Sequence, residues 1–263
     1  FKEPKEKMIA PHFIMYIKEQ LSDKYGEKTV EQGGLKIYTT LDLYKQKIAE
    51  EVITEYADKN EKNYKATNAA LVSIDPKTGQ ILSMVGSRDY FNDEIDGQVN
   101  ITTSLRQPGS SIKPIIYAAA FLKGFSPNTT LYDVVTNFST DGSKPYEPHN
   151  YNGKEYGAVT MRAALAGSLN VPAVKTIYLA GLDNVTKLAT ALGYSSLNDK
   201  DRFGLSLVLG GGEVKLLEHT NAYSAFAREG ELHKISAILK VEDNKGAVLE
   251  EFKDKKDIVL DGN

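Results

Sequence analysis

The chain has 263 residues, 41% of them hydrophobic, which is enough to bury a sizeable core in one large domain with a small appendage. Its 32 basic and 35 acidic residues leave a net charge of −3, so there is no electrostatic case for binding nucleic acid. Cysteine is absent, which excludes disulfides, a thiol nucleophile and a thiolate metal site.

The N-terminal part of the chain predicts a helix, a strand and a second helix. Residues 1–33 are charged, and their second half carries a single apolar stripe at helical spacing. A strand is predicted from Leu35 to Tyr38, and the segment 39–42 is expected to cap the helix that follows. The polar stretch 58–65 is predicted to be a connector. The two apolar patterns consist of Phe13, Ile14, Ile17 and Leu21 in the first helix and Tyr44, Ile48, Val52 and Tyr56 in the second.

A β-hairpin is predicted next. The apolar runs 69–74 and 81–85 have the length and composition of two antiparallel strands. Asp75 and Pro76 open the turn between them, and Gly79 is expected there at positive φ. These are the strands of the main domain that the sequence predicts.

The rest of the chain is predicted to be largely helical. After the loop-rich stretch 87–103, the run 115–122 is apolar on every side, which predicts a buried central helix. The segment 125–156 is rich in turn-forming residues and predicts a long irregular region. A tight turn is predicted at the glycines 210–212. The further predicted helices are Met161 to Ala166, Val171 to Ala180, Val185 to Leu192 and Leu216 to Arg228, the last ended by Gly230. We therefore expect an α+β fold in which a helical cluster surrounds a small antiparallel sheet.

The most informative motif is Ser110 with Lys113, at the start of the predicted central helix. A spacing of three residues puts the hydroxyl and the amine on one face of the first helical turn. Serine is a weak nucleophile at neutral pH, and a buried lysine that has lost its proton can act as its base. The helix N-terminus favours the oxyanion that forms after attack on a carbonyl. An ordinary helix cap explains the same residues, but this is the only Ser-x-x-Lys in the chain.

A second candidate motif is Ser168 with Asn170. A second hydroxyl can relay a proton toward a leaving amine, and an Asn side chain can both donate to and accept from a peptide-like substrate. The same Ser-x-Asn pattern recurs at Ser126 and Ser196, where turns or caps are expected. The four histidines lack the spacing of metal ligands, so no metal site is predicted: His12, His149, His219 and His233.

Taken together, several segments resemble the transpeptidase domain of penicillin-binding proteins, whose fold is like that of serine β-lactamases. These segments are Leu71 to Gly86, Arg106 to Pro114, Pro148 to Gly153, Arg162 to Val174 and Leu209 to Glu218. Ala10 to Phe13 and Gly34 to Asp42 resemble the linker that follows the glycosyltransferase domain of bifunctional (class A) members. The resemblance implies a linker region in 1–33, a strand-helix element in 34–66 and the N-terminal and central part of the transpeptidase domain in 67–263.

The resemblance implies a serine D,D-transpeptidase that cross-links peptidoglycan stem peptides ending in D-Ala-D-Ala. In that reaction Ser110 would attack the penultimate D-Ala carbonyl, Lys113 would take its proton, Ser168 would relay a proton to the leaving D-Ala, and Asn170 would hold the peptide. β-Lactams would acylate Ser110, and no cofactor is needed. The implied location is the extracellular face of the bacterial cytoplasmic membrane, with an N-terminal anchor outside these residues.

The family's third motif, Lys-Thr/Ser-Gly, is expected well downstream of Ser-x-Asn, and the chain ends at Asn263 before any such segment. The sole Lys-Thr-Gly, at 77–79, falls in the predicted hairpin turn and is not assigned a catalytic role. We therefore expect part of an enzyme, cleaved or truncated, with its C-terminal strands missing and only the first hairpin of the sheet kept, unless a separate chain completes it. Two alternatives remain open: a D,D-carboxypeptidase or β-lactamase-type hydrolase that passes the acyl group to water, and a non-catalytic binding or scaffold module of the envelope.

Overall fold

The computed structural model of the chain describes residues 8–139 and 144–262, apart from the side chain of Lys200. Two compact units divide these residues: Arg106–Val214 form the second unit, and the residues before and after them form the first unit. In the described ranges no helix combines the length and the apolar character needed to cross a membrane. The division predicted from the sequence stays a prediction: 1–33, 34–66 and 67–263.

The described residues form a mixture of helices and short strands. The first unit begins with α1 (Pro11–Tyr25), α2 (Glu27–Gln32), β1 (Lys36–Thr39), α3 (Leu43–Tyr64), β2 (Leu71–Ile74) and β3 (Ile81–Val85), and β4 (Leu105–Arg106) leads into the second unit. The second unit contains α4 (Lys113–Leu122), β5 (Thr130–Asp133), β6 (Gly157–Thr160), α5 (Met161–Ala166), α6 (Asn170–Ala180) and α7 (Leu182–Ala191). After β7 (Val214–Lys215), the first unit ends with α8 (Leu216–Ala227), β8 (Glu231–His233), β9 (Ile238–Glu242), β10 (Val248–Glu251) and β11 (Lys256–Ile258).

One apolar cluster joins the elements of the first unit. It contains side chains from α1, β3, α8 and β9, and β9 lies between β1 and β10 in a three-stranded antiparallel sheet, with Val241 opposite Ile37. The predicted stripe of α1 is confirmed in part, since Ile14 is exposed and the other three residues are buried. The principal members of the cluster are Phe13, Ile17, Leu21, Ile81, Met84, Leu217 and Val241.

The second predicted helix is confirmed as α3, but its buried face differs from the predicted stripe. The Asp42 carboxylate caps it by accepting the N–H groups of Tyr44 and Lys45, as the cap prediction requires. The predicted connector 58–65 is wrong, because the helix continues to Tyr64. The predicted stripe Tyr44, Ile48, Val52 and Tyr56 is exposed, and the buried side chains are Gln46, Ala49, Ile53 and Ala57.

Hydrogen bonds made by Gln46 explain why this other face of α3 is buried. The Gln46 side chain accepts the Met84 N–H at 2.8 Å and donates to the Met84 carbonyl at 3.1 Å. The Gln46 amide thus pairs with backbone groups at the edge of β3. Only small or apolar residues suit the rest of this buried face of α3. Period-four apolar spacing predicted the helix correctly and its orientation incorrectly.

The predicted hairpin is confirmed as β2 and β3, joined by the expected turn. Gly79 has φ +70° and donates its N–H to the Asp75 carbonyl at 2.9 Å. Lys77 is exposed in this turn, so the turn interpretation of Lys-Thr-Gly is confirmed. The expectation that only the first hairpin of the sheet would be kept is wrong: β9 and β10 extend the sheet from β1, and β8 pairs with β11.

The second unit is built around α4, as the all-round apolar run predicted. The side chains of α4 from Ile115 to Tyr117 are at most 1% exposed, and the helix packs against α6 and α7. The predicted irregular segment 125–156 contains a strand that the sequence did not reveal, β5, which pairs antiparallel with β6. In this pair Leu131 lies opposite Val159. The strand ends at Asp133, beside the candidate site described next.

Candidate active site

Ser110 lies in a 3-10 turn that runs directly into α4. The turn spans Gly109–Ile112, and the Lys113 N–H donates to the Ser110 carbonyl. Because side chains three residues apart nearly eclipse in a 3-10 turn, Ser110 and Lys113 project from the same side. Ser110 is exposed, whereas Lys113 is 1% exposed. Ser110 is therefore accessible at the surface, whereas Lys113 is buried at the start of α4.

The Lys113 ammonium is surrounded by oxygens that carry no charge. Its Nζ donates to the Ser168 carbonyl at 2.7 Å and to Asn170 Oδ1 at 2.8 Å, and lies 3.3 Å from both Ser168 Oγ and the Leu169 carbonyl. We call these four atoms the oxygen cage. Burial lowers the pKa of Lys113 to about 8, because the charged form loses its hydration. The neutral amine is therefore more accessible near neutral pH than that of an exposed lysine.

Ser168 occupies a strained position. Its φ is +50°, in the left-handed region that a residue with a Cβ adopts at a cost of about 1 to 2 kcal/mol. Its backbone N–H still donates to the Leu165 carbonyl at 3.0 Å, at the end of α5. The left-handed turn directs both the Ser168 carbonyl and its hydroxyl toward Lys113. Strain of this kind is typical of functional sites, where surrounding structure enforces it.

Asn170 is the first residue of α6, and both ends of its side-chain amide are engaged. Oδ1 accepts from Lys113, and Nδ2 donates to the His149 carbonyl at 2.9 Å. The structure therefore brings Lys113, Ser168 and Asn170 into direct contact and places Ser110 one short turn before Lys113. The other two Ser-x-Asn matches have different partners: the Ser126 N–H donates to the Thr129 hydroxyl in a local turn, and the Ser196 hydroxyl donates to the Glu213 carbonyl.

Gly210 supports the Ser110 turn in a way that the sequence did not reveal. The predicted tight turn is present, since Gly210 has φ +92° and ends the 3-10 helix Leu205–Leu209. A Cβ at Gly210 would lie 2.5 Å from the backbone of Gly109, which immediately precedes Ser110. This close approach requires glycine, and it is the physical use of the first glycine in the triplet. The run of three glycines is visible in the sequence, but the sequence does not show that Gly210 contacts the turn that contains Ser110.

The described residues do not suggest a resident metal. In the ranges 8–139 and 144–262, no group of three or more His, Cys, Asp or Glu side chains is placed to hold an ion. The hydroxyls, amine and amide of the site are of the types that take part in nucleophilic attack, proton transfer and peptide hydrogen bonding.

Comparison with known proteins identifies the class of protein to which this fold belongs. The family profile described as penicillin binding protein transpeptidase domain matches residues 69–260. The chain belongs to the penicillin-binding protein transpeptidase family, as the sequence motifs predicted, and the predicted fold class is confirmed.

Individual relatives agree with this assignment. Penicillin-binding protein 2D of Bacillus subtilis (strain 168) is 36% identical over 259 residues, which are 97% of this chain and 36% of that protein. Penicillin-binding protein 1A of Aquifex aeolicus (strain VF5) is 42% identical over 184 residues, which are 69% of this chain and 24% of that protein. The similarity to class A members predicted from the linker segments is thus confirmed. The chain spans about a third and about a quarter of the lengths of these two relatives.

Solved structures share the fold at low sequence identity. PonA1 of Mycobacterium tuberculosis, in complex with penicillin V, superposes with a TM-score of 0.81 at 22% identity over 97% of this chain and 68% of that chain. Penicillin-binding protein 1A of Haemophilus influenzae superposes with a TM-score of 0.79 at 22% identity over 97% of this chain and 51% of that chain.

Proposed function

We propose that this chain is the serine D,D-transpeptidase part of a class A penicillin-binding protein and that it cross-links peptidoglycan stem peptides. The observation that carries the proposal is the geometry at the start of α4. There an exposed Ser110 lies one 3-10 turn from the buried, oxygen-caged Lys113. A lysine whose pKa is lowered to about 8 is suited to take a proton from a neighbouring hydroxyl.

In the proposed reaction each group has one role. Ser110 Oγ attacks the carbonyl carbon of the penultimate D-Ala as its proton passes to Lys113 Nζ. The Ser168 hydroxyl, 3.3 Å from that nitrogen, relays a proton to the amine of the departing D-Ala as the C–N bond breaks. Asn170 hydrogen-bonds the peptide backbone. An amine from a neighbouring stem peptide then attacks the resulting ester and releases Ser110.

The setting of this reaction is also proposed. β-Lactams resemble the scissile peptide and would acylate Ser110, in keeping with the penicillin V complex of the PonA1 neighbour. The site would work at the extracellular face of the cytoplasmic membrane, held there by an N-terminal anchor in the longer protein. A strand bearing Lys-Thr/Ser-Gly, from that longer protein or from a separate chain, would complete the substrate groove. The chemistry needs no cofactor.

The decisive experiment is intact-mass spectrometry after incubation with a penicillin. It should be run on this chain and on the chain extended through the downstream Lys-Thr/Ser-Gly strand. We expect one adduct per molecule, lost in Ser110→Ala and retained in Ser111→Ala. Ser111 is a matched control because it is the next residue, is also exposed, and donates its hydroxyl to the Pro108 carbonyl.

Each result has a clear meaning. A slowly released adduct at Ser110 supports the transpeptidase. Rapid turnover of the penicillin would instead favour the hydrolase alternative, a D,D-carboxypeptidase or β-lactamase-type enzyme. If neither chain forms an adduct, the proposal is refuted, and the non-catalytic envelope module becomes the better account.

A further inference from the structure

A buried carboxylate and a buried amide lie behind the oxygen cage, and neither has a role in the reaction proposed above. Asp133, at the end of β5, is 0% exposed, and Asn150 is 7% exposed. The Asn150 Nδ2 donates to the two Asp133 carboxylate oxygens at 2.9 and 2.8 Å, and the Tyr156 N–H donates to Asp133 Oδ2 at 3.0 Å. Burying a charge is costly unless its hydrogen bonds are satisfied, so these bonds are needed to keep Asp133 in place.

The other end of the Asn150 amide reaches the start of α6. Its Oδ1 accepts the Asn170 N–H at 2.7 Å and lies 3.4 Å from the Val171 N–H. The first N–H groups of a helix have no partner within the helix, and a side-chain oxygen at the N-cap residue usually satisfies one of them. Here the N-cap residue is Leu169, whose apolar side chain cannot accept a hydrogen bond. Asn150 therefore caps α6 from a distant part of the chain.

His149, the residue before Asn150, also binds Asn170. The His149 carbonyl accepts Asn170 Nδ2 at 2.9 Å. This bond fixes which way round the Asn170 amide lies, because only its Nδ2 can donate to a carbonyl. Its Oδ1 is then directed at the Lys113 ammonium, 2.8 Å away. Residues 149–150 thus form hydrogen bonds with both the backbone and the side chain of Asn170.

We propose that Asp133 and Asn150, with the His149 carbonyl, are positioning residues that hold Asn170 and so keep the oxygen cage closed around Lys113. We call these three groups the Asn170 clamp. The clamp acts through Asn170. Its consequence for catalysis rests on the proposed function, but its effect on Lys113 does not.

The clamp has charged side chains near it. Lys175 of α6 donates to the Tyr132 carbonyl at 2.6 Å, and the charges of Asp133 and Glu155 oppose the lowering of its pKa by burial. The oxygen cage itself is uncharged. Lys113 therefore depends on exclusion of water for its lowered pKa, and opening the cage should raise that pKa toward its ordinary value.

The test is to measure the Lys113 pKa by NMR of side-chain-labelled lysine in the full chain, with the Lys113 resonance identified by its loss in Lys113→Arg. The variants are Asn150→Ala and the nearly isosteric Asp133→Asn, with Asn152→Ala as the matched control. Asn152 lies in the same loop, and its Nδ2 donates to the exposed Tyr156 hydroxyl, outside the clamp.

We expect Asn150→Ala to raise the Lys113 pKa by about one unit, a tenfold loss of neutral amine at neutral pH. Asp133→Asn should raise it by less, since the Asn150 cap remains, and Asn152→Ala should leave it unchanged. An unchanged pKa in both clamp variants would overturn the proposal. Loss of folded protein in both, with Asn152→Ala folded, would also overturn it by assigning the network to folding alone.

A parallel measurement separates this inference from the proposed function. If the unmodified chain is acylated, the pH profile of acylation should shift upward with the Lys113 pKa in Asn150→Ala, an effect that a general loss of stability does not produce. If the unmodified chain is not acylated, the proposed function fails, while the NMR comparison still decides whether the clamp controls Lys113.

Discussion

The acylation of Ser110 by a penicillin is predicted to accelerate as the pH rises from 7 to 9. Only the neutral amine of Lys113 can take the hydroxyl proton, and burial lowers the pKa of this lysine to about 8. Because the folded pKa lies below the ordinary value of 10.5, raising the pH through 8 deprotonates Lys113 in the folded protein while exposed lysines stay charged. The acylation rate constant should follow that titration.

The size of the effect follows from the pKa. At a pKa of about 8, about 9% of Lys113 is neutral at pH 7, about half at pH 8 and about 90% at pH 9. An ordinary lysine would be only about 0.03% neutral at pH 7, so burial supplies about 300-fold more base. We expect the rate constant to rise about fivefold from pH 7 to pH 8 and about twofold from pH 8 to pH 9.

The assay is rapid mixing with excess penicillin, acid quenching and intact-mass detection of the adduct, in whichever chain forms it. Lys113→Arg keeps the positive charge but cannot deprotonate, so acylation should fall by about 100-fold or more. Lys123→Arg is the matched control, because Lys123 is an exposed lysine at the C-terminal end of the same helix. An equal rate constant at pH 7 and pH 9, or acylation of Lys113→Arg with the unmodified profile, would rule out Lys113 as the base.

Three further substitutions test the neighbouring structure. Gly210→Ala places a methyl group 2.5 Å from the Gly109 backbone, so the acylation rate should fall at least about tenfold. Gly204→Ala is the control and should acylate normally, because its added methyl meets open space. The same mass assay compares the two variants. Ser168→Gly removes the cost of a side chain at φ +50° and should raise the melting temperature by about 2 to 4 °C. It should also slow acylation, because the proposed relay hydroxyl is gone. A lower melting temperature in calorimetry would contradict the assignment of strain to Ser168. Gln46→Ala leaves a buried strand edge unpaired and should lower the free energy of unfolding by about 1 to 3 kcal/mol in urea titrations, and an unchanged value would refute the edge-pairing role.

Much of the helical structure was predictable because each helix is specified by its own residues. The helix Met161–Ala166 has the predicted bounds, and α6 ends before Gly181 as its apolar run suggests. The strand β5 was not predictable in the same way, since it lies in a turn-rich segment and exists through pairing with β6. The predicted buried face of α3 was wrong for a similar reason. Gln46 is buried against a backbone edge that exists only in the folded chain.

The candidate site divides along the same line. Ser-x-x-Lys and Ser-x-Asn were recognisable because each is a short motif at a predicted helix start. The spacing could not reveal that Lys113 is caged by the second motif, that Gly210 touches the turn before Ser110, or that Asn150 caps α6. All three are contacts between segments distant in sequence. Asn150 is identified as a cap only by its hydrogen-bond partners in the folded chain.

Three locally unfavourable features meet at one place in the second unit. A buried ammonium at Lys113, a left-handed Ser168 and a buried carboxylate at Asp133 each destabilise the fold when considered alone. Ser168 is hydrogen-bonded directly to Lys113, which also donates to Asn170. Asn150 links Asn170 to Asp133, since it accepts the Asn170 N–H and donates to the Asp133 carboxylate. All three features converge on Lys113, in keeping with the base role proposed above for its amine.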